Sequence, residues 1–248
     1  MKPFEADLHL HTVLSPCADY RMVPELIIDC AVQRKLDLIG VTDHNSGENA
    51  AAVMAAAAGS GVAVLPGMEV ESREGVHILT LFDDLDALSR WQDAVYRALP
   101  DRENVERVFG AQLVVDASGQ LVRVVKRLLI TSTDLSLEDL VDRCEIEGGL
   151  AIPSHIDRPA NGLLGVLGML PANLKAPALE ISPRISRSQA ATHYPGLAGW
   201  PLIQSSDAHT LEDIGRVSTT LLLEAPLIGE IVLACRQEQG RQIITILD

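Results

Sequence analysis

Short apolar runs alternate with helical patterns along most of the chain, and this alternation predicts repeated strand and helix units. Each run is too short for a buried helix, and continuous apolar runs of this kind are typical of strands buried on both faces of a parallel sheet. After a first strand near the N-terminus, the predicted strands are residues 36–42, 62–65, 78–82, 150–152, 178–181, 202–204 and 219–223.

Between these runs, apolar residues recur at helical spacing. The predicted helices are residues 24–34, 48–58, 86–98, 137–147 and 227–239. Ser136 with Asp139 is the signature of a capping box at the start of the fourth helix, and Gly148 with Gly149 marks its end. Strands that alternate with helices predict an α/β fold, either a closed barrel or an open parallel sheet.

One segment interrupts the alternation, from residue 101 to residue 134. Within it, residues 112–115 and 121–125 are strand-like and flank Asp116-Ala117-Ser118-Gly119, which is typical of a hairpin turn. The total length of 248 residues suits one α/β barrel, and the chain contains no repeat or linker. We therefore predict one domain over residues 1–248, with an inserted lobe at about 101–134.

The composition and net charge of the chain indicate which kinds of binding partner are expected. With 47% apolar and 22% charged residues, the chain is expected to fold into a packed domain. A net charge of -14 repels phosphate backbones, and 3% aromatic residues leave few rings for stacking on bases, so we expect no extended nucleic-acid binding. The four cysteines form no CxxC pair, which favours a reduced, cytoplasmic setting. The longest apolar run, 50–58, is too short for a membrane span, so no membrane partner is expected.

The candidate chemistry lies at the predicted strand ends, where six of the seven histidines occur in five short segments. These segments are Asp7-Leu8-His9-Leu10-His11, Thr42-Asp43-His44, Gly67-Met68-Glu69 with Val76-His77, Ser154-His155, and Asp207-Ala208-His209. Histidine is the commonest metal ligand, and carboxylates accompany it in catalytic zinc sites. The C-terminal ends of the strands of an α/β fold lie at one edge of the sheet. The pattern therefore predicts a site at that edge, the mouth of the barrel, where several metal ions bind.

The spacing within the segments supports this interpretation. His9 and His11 are two residues apart on a strand, so they share a face and are placed to hold one ion. Asp207 and His209 repeat the same spacing. Glu69 is expected just past the third strand, where its carboxylate is suited to bridge two cations about 3.5–4 Å apart.

Two further residues near these segments are candidates. Cys17 follows His11 by six residues, and a thiolate binds borderline metals such as zinc; the alternative is an ordinary free cysteine. Asp43 closes the second strand, where it is expected to bind a metal or to orient a ligand histidine. The alternative for Asp43 is a cap on the following helix.

Three arginines near strand ends are candidates for contact with an anionic group. Arg158 follows His155 by three residues, and its planar guanidinium is suited to hold an anionic oxygen; the alternative is a surface arginine. Arg184 and Arg216 follow similar strand ends and are interpreted as groups that face a phosphate. His193 has no acidic neighbour and is interpreted as structural.

The order HxH, TDH, Glu then His, a lone His and DAH resembles the PHP (polymerase and histidinol phosphatase) family, from Asp7 to about Arg216. The resemblance implies a distorted (β/α)7 barrel, similar to a TIM barrel, with two or three divalent metal ions (Zn, Mn or Fe) at the C-terminal ends of the strands. It also implies a set of ligands for each ion. His9, His11, Glu69 and Asp207 would hold the first ion, Glu69, His77 and His155 the second, and His44 and His209 the third, with Cys17 where many members have a histidine.

Together these features predict a metal-dependent phosphoesterase that acts on a small phosphorylated substrate, either a phosphomonoester or a phosphodiester. A metal-activated hydroxide would attack phosphorus, and an arginine would neutralise the phosphoryl oxygens. Three alternatives stay open: a metal-dependent amide or ester hydrolase, a non-catalytic metal-binding module, and a nuclease that acts on short oligonucleotides.

Overall fold

The fold is built around β1 (Lys2–Leu10), which becomes fully buried over its second half. The computed structural model describes residues 1–246 and places β1 inside a curled seven-stranded sheet. In their order across the sheet, the strands are β11 (Gln242–Ile246), β10 (Thr219–Leu223), β1, β2 (Leu38–Val41), β3 (Ala63–Glu71), β4 (His77–Leu81) and β7 (Leu150–Pro153). The predicted α/β fold class is confirmed by this mixed architecture.

The directions of the strands differ from the prediction. β1, β2 and β3 are parallel to one another, as expected. β4 and β10 run in the opposite direction to β1–β3, whereas β7 runs in the same direction, so the expectation that all the apolar runs form parallel strands is wrong. For β4 the physical reason is a tight turn at Gly75, whose φ of +85° suits glycine and which joins β3 directly to β4 without a helix.

A separate parallel pair lies between the two sides of the curled sheet. It consists of β8 (Leu179–Ile181) and β9 (Leu202–Gln204). On one side, Ile156 N, just past β7, donates to Glu180 O at 2.9 Å, and on the other side His11 N donates to Ala208 O at 3.0 Å. The sheet therefore forms a half barrel with the β8–β9 pair between β7 and β1. The count of seven β/α units stays a prediction.

Eight α-helices are present in residues 1–246, five of them close to the predicted positions. The predicted five are α1 (Pro24–Gln33), α2 (Ala50–Ala56), α3 (Leu85–Ala98), α5 (Leu137–Ile146) and α8 (Ile228–Arg236). The helices that the sequence pattern missed are α4 (Glu106–Phe109), α6 (Leu163–Leu167) and α7 (Arg187–His193), which are too short to show a helical period. Ser136 caps α5 by accepting from Asp139 N at 3.1 Å, as predicted.

Two apolar clusters hold the strands in place. Leu8, Leu38, Leu79 and Ile152 belong to the cluster formed by neighbouring strands of the sheet. Trp91 belongs to the larger cluster that includes the helices, and its indole donates to Thr80 Oγ1 at 2.9 Å. This packing fixes the strand ends relative to one another. Over the part of the chain that the structure describes, no helix combines the length and apolar character that a bilayer span requires.

The segment predicted as a lobe contains α4 and a hairpin of β5 (Leu113–Val115) and β6 (Leu121–Val124). Leu113 N donates to Val13 O at 3.1 Å, in the loop that follows β1. Asn49, after β2, donates from its amide to Leu113 O at 3.0 Å. The lobe therefore lies beside the loops that leave β1 and β2.

We expect Gly40→Ala in β2 to lower the free energy of unfolding by about 1–3 kcal/mol. A Cβ at Gly40 would lie 2.4 Å from Leu8 O, on the backbone of the neighbouring strand. Urea unfolding measures the effect. The matched control is Gly229→Ala in α8, where nothing lies within 4 Å of the added carbon. An equal loss in both variants would show that the spacing of β1 and β2 is not the cause.

A candidate metal centre

Glu69 lies at the centre of the side chains that the fold brings together. It is inside β3 rather than beyond it as predicted, because the strand continues to Glu71. Glu69 Oε1 is 3.0 Å from His77 Nδ1 and 2.9 Å from His155 Nε2, and Glu69 Oε2 is 3.1 Å from His44 Nδ1. The buried carboxylate thus contacts an imidazole at the start of β4 and imidazoles that follow the ends of β2 and β7.

Asp207 lies on the other side of the two histidines of β1. Asp207 Oδ1 is 3.3 Å from the Nε2 atoms of both His9 and His11. His9 Nε2 is also 3.4 Å from Glu69 Oε1. The two-residue spacing in β1 therefore places both imidazoles on one face, between two carboxylates from distant parts of the chain.

A third group of histidines lies at the outer edge of this cluster. The ring centroid of His11 is 4.1 Å from that of His209 and 4.6 Å from that of His44. Cys17 lies in the loop that follows β1; the residue is exposed, but its thiol sulfur is largely enclosed. Burial of the sulfur opposes its ionisation, but the imidazoles of His209 and His44 outweigh burial and lower the pKa of Cys17 to about 6.

The residues fit divalent cations. Three sets offer ligand atoms within 4.8 Å of one another: His9, His11 and Glu69; His44, Glu69 and His77; and His11, His44 and His209. The Nε2 atoms of His9 and His11 face each other at 3.2 Å, and two neutral acceptors at that distance repel unless a proton or a cation lies between them. Imidazole with carboxylate is the donor set of catalytic zinc and related sites.

The electrostatics of the cluster follow from burial and from opposite charges. Burial lowers the pKa of His9, but the carboxylates of Glu180, Asp207 and Glu69 outweigh it and hold the pKa well above its usual range. His44 and His77 also have raised pKa values, with Glu69 among the causes. Glu69 in turn has a pKa well below its usual range, because nearby imidazoles outweigh its burial. Protons and cations therefore compete for the same nitrogens.

Asp43 lies behind the cluster and contacts none of the ring nitrogens. It accepts from Thr12 N and Thr12 Oγ1, each at 2.7 Å, and from Ser15 Oγ at 2.7 Å. Because the Ser15 hydroxyl donates to Asp43, its lone pairs accept from His11 Nδ1 at 2.9 Å and from His44 N at 3.1 Å. Asp43 therefore orients His11 through Ser15, which leaves His11 Nε2 facing the cluster.

Glu180 is a site residue that the sequence reasoning missed. Its Oε2 accepts from His9 Nδ1 at 2.9 Å and from His155 N at 3.1 Å. The signal in the sequence was one acidic residue inside the apolar run 178–181, where a carboxylate is costly to bury without partners. By accepting from His9 Nδ1, Glu180 turns His9 Nε2 toward Glu69 and Asp207.

Backbone strain marks the strand ends at the cluster. His155 has φ of +30° and Asp207 has φ of +51°, a region that side chains other than glycine adopt rarely. Asn45, next to His44, also has a positive φ, +49°, and its amide donates to Leu129 O at 2.6 Å. Such strain concentrates at functional sites, where the surrounding contacts hold it in place.

The three predicted arginines lie in different places. Arg158 is at the cluster and forms an ion pair with Asp207 Oδ2, whereas its Nε is buried without a hydrogen-bond partner among residues 1–246. Arg184 is exposed, and Arg216 has a side chain 75% exposed whose nearest acidic group is Asp213. Neither is among the side chains that meet at the cluster. His193 is exposed at the end of α7.

The chain is similar in sequence to one curated protein and in fold to several solved structures. No family model matches the chain. A curated relative, the uncharacterised protein YqxK of Bacillus subtilis, is 33% identical over 122 residues, which is 46% of this chain and 30% of YqxK. A putative metal-dependent phosphoesterase from Bifidobacterium adolescentis shares the fold with a TM-score of 0.52 and 17% identity, over 82% of this chain and 87% of that chain. Membership of the PHP family stays a prediction.

Two solved structures of endonuclease Q share the fold more extensively. The lesion-specific enzyme from Pyrococcus furiosus has a TM-score of 0.74 and 19% identity, and the match covers 100% of this chain and 60% of that chain. The second structure holds a 27-mer duplex substrate with an abasic lesion at the active site, with a TM-score of 0.72, 18% identity, and 98% and 58% coverage. Our expectation of a small phosphorylated substrate without extended nucleic acid is therefore wrong, because endonuclease Q, which shares this fold, holds a duplex DNA substrate.

We expect Glu180→Gln to weaken the binding of Zn²⁺ or Mn²⁺ by about 10- to 100-fold. The amide would bond less strongly to His9 Nδ1 and would no longer select the tautomer that presents Nε2. Competition with a chromophoric chelator measures the affinity. Glu147→Gln, which alters an exposed ion pair with Arg90, is the matched control and should bind metal normally. Unchanged affinity in a folded Glu180→Gln protein would contradict the orienting role.

Metal affinity should rise with pH through and above about 6.5, the ordinary pKa of histidine. His9, His44 and His77 have raised pKa values, so they hold protons below those values and must release them to bind a cation. Titration calorimetry between about pH 6 and 8.5, in buffers of different ionisation enthalpy, measures both affinity and proton release. A pH-independent affinity without proton release would show that these imidazoles are not ligands.

Proposed function

We propose that this chain is a metal-dependent hydrolase that cuts phosphodiester bonds in a nucleic acid. The observation that carries the proposal is the ring of imidazoles around the buried carboxylates of Glu69 and Asp207. Its support is the fold, which matches endonuclease Q over the whole length of this chain. The chain spans 60% and 58% of the two endonuclease Q chains, so the activity of the complete relative enters here only as part of the proposal.

Glu69 is the residue best placed to hold two cations at once. Its Oε1 faces His77 and His155, and its Oε2 faces His44. His9 and His11 with Asp207 would complete one set of ligands, and His44 and His209 with Cys17 would supply another. When bound, divalent cations supply a water of lowered pKa and positive charge for the phosphoryl oxygens.

Arg158 is the group best placed to bind the substrate. Its ion pair with Asp207 orients the guanidinium, and the side chain is 26% exposed, so part of it is open to an anionic oxygen. A planar guanidinium that donates to a phosphodiester oxygen both positions it and neutralises its charge. Arg158 is therefore proposed to hold the phosphate on the side of the cluster where Asp207 lies.

Hydrogen bonds behind the cluster keep His9 and His11 in the required tautomer. Glu180 accepts from His9 Nδ1, and Ser15, held by Asp43, accepts from His11 Nδ1. Both imidazoles then turn Nε2 toward the reacting centre, where a cation would displace the proton that His9 holds in its absence. Asp43 and Glu180 are thus proposed as positioning residues rather than groups that touch the substrate.

The inserted lobe is proposed to belong to the same catalytic domain as one wall of the mouth. It is joined to the loop after β1 by the Leu113 N to Val13 O bond and to Glu71 by Thr133 N at 2.9 Å. Glu71 Oε2 lies 3.7 Å from His77 Nε2, so a shift of the lobe would reach a proposed ligand.

Cleavage assays test the function. The protein, loaded with Mn²⁺ or Zn²⁺, is incubated with an end-labelled duplex that contains an abasic lesion, with the undamaged duplex, and with amide and carboxylic-ester substrates. We expect cleavage of the DNA, lost by about 100-fold or more in His9→Ala and Asp207→Ala, because metal stabilisation of the transition state contributes several kcal/mol. His193→Ala changes an exposed histidine on α7 and is the matched control.

The outcomes separate the alternatives. Turnover of amides or esters without DNA cleavage would replace the proposal with a carbonyl hydrolase. Metal binding that stabilises the protein but supports no turnover on any of these substrates would indicate a non-catalytic module. Activity that survives His9→Ala at the control level would place the reaction elsewhere in the molecule.

A further inference from the structure

The few aromatic side chains of this protein are unevenly exposed. The chain has three tyrosines, three phenylalanines and two tryptophans. Over residues 1–246, only Tyr20 and Phe109 among them are exposed, at 73% and 39%. Val108, beside Phe109 on α4, is 65% exposed. We call Tyr20, Val108 and Phe109 the rim patch.

The two segments that carry the rim patch are packed together. Tyr20 lies in the loop between β1 and α1, and Val108 and Phe109 lie at the end of α4 in the lobe. Gly110 follows Phe109 with φ of +96°, and a Cβ there would lie 2.6 Å from Pro16 O. The loop that carries Tyr20 and the end of α4 that carries Phe109 therefore touch at Pro16 and Gly110.

The same loop contacts the candidate metal centre on its other side. Ser15 Oγ accepts from His11 Nδ1, and Asp19 N donates to His209 O at 2.8 Å. Tyr20 thus lies in the same loop that contacts the candidate ligands His11 and His209, and Phe109 lies in the segment packed against that loop. A polymer bound at the centre that extends in this direction would pass over it.

The charge of the lobe differs from that of the whole protein. The chain carries a net charge of -14, whereas residues 101–134 contain five basic and five acidic side chains. Arg107, next to Val108, is exposed and forms no ion pair within residues 1–246. The rim patch is therefore flanked by a cation on a neutral lobe, which suits a polyanion better than the acidic remainder of the surface.

We propose that the rim patch stacks an unpaired base of the nucleic acid whose phosphodiester lies at the metal centre; this inference rests on the proposed function. Aromatic rings stack on any base because every base has a π-face, and a neighbouring arginine adds attraction to the base and to its phosphate. An apolar surface without a cation would fit a protein partner instead, so Arg107 is the feature that favours the base.

Fluorescence of 2-aminopurine tests the stacking separately from cleavage. A duplex that contains 2-aminopurine opposite an abasic site is titrated with the protein in EDTA, so that no bond is cut. We expect stacking to quench the fluorescence on binding. Tyr20→Ala and Phe109→Ala should each weaken binding roughly 5- to 150-fold, the effect of removing one stacking side chain. Tyr20→Phe keeps a ring and should bind like the unmodified protein.

The matched control is Ile146→Ala, which removes an 81% exposed apolar side chain at the end of α5. Equal binding by Tyr20→Ala, Phe109→Ala and the unmodified protein would overturn the inference, as would an equal loss in Ile146→Ala. Self-association that light scattering detects and that Phe109→Ala abolishes, without any effect on DNA, would assign the patch to a protein contact. DNA cleavage without quenching would refute the stacking alone, whereas quenching without metal-dependent cleavage would refute only the proposed function.

Discussion

The burial of one carboxylate, that of Glu69, is the constraint on which the rest of the site depends. An ionised carboxylate inside a protein is tolerated only when charged or hydrogen-bonding partners surround it. Here the partners are imidazoles delivered by β1, β4 and the segments after β2 and β7. The sheet must curl to bring these segments to one point. The curvature of the half barrel is therefore what supplies Glu69 with the imidazoles that stabilise its charge. Neither the histidines nor Glu69 would be stable in this protonation state without the other.

Much of the fold could be predicted because its elements leave strong local signals. The longer helices and most strands follow from apolar periodicity and from caps such as Ser136 with Asp139. The direction of β4 could not be predicted, since antiparallel return depends on the turn at Gly75 and not on the apolar pattern of the strand. One-turn helices such as α6 lie below the length at which a period can be detected. Tertiary contacts determine the direction of β4 and the formation of the one-turn helices.

Part of the candidate site could likewise be predicted from local signals in the sequence, and part could not. The histidines and acids at strand ends could be found because their residue types are unusual there. The structure brings eight such side chains together, although their roles as ligands stay predictions. Glu180 was missed because one acid in an apolar run has no partner that sequence spacing reveals. Asp43 acts through Ser15, a link that only the fold creates. The expectation about the partner was wrong because net charge and aromatic content do not reveal the likeness of the fold to endonuclease Q, which holds duplex DNA.

The left-handed backbone at His155 and Asp207 has a thermodynamic consequence. Both residues present their side chains to the cluster, so the native state without cations carries backbone strain and a crowded set of protonated imidazoles. A bound cation removes the second cost, and by mass action it adds RT ln(1 + [M]/Kd) to the free energy of unfolding. The lifetime of the protein is then coupled to the supply of metal in its surroundings: chains that remain unloaded open more often and reach proteases first.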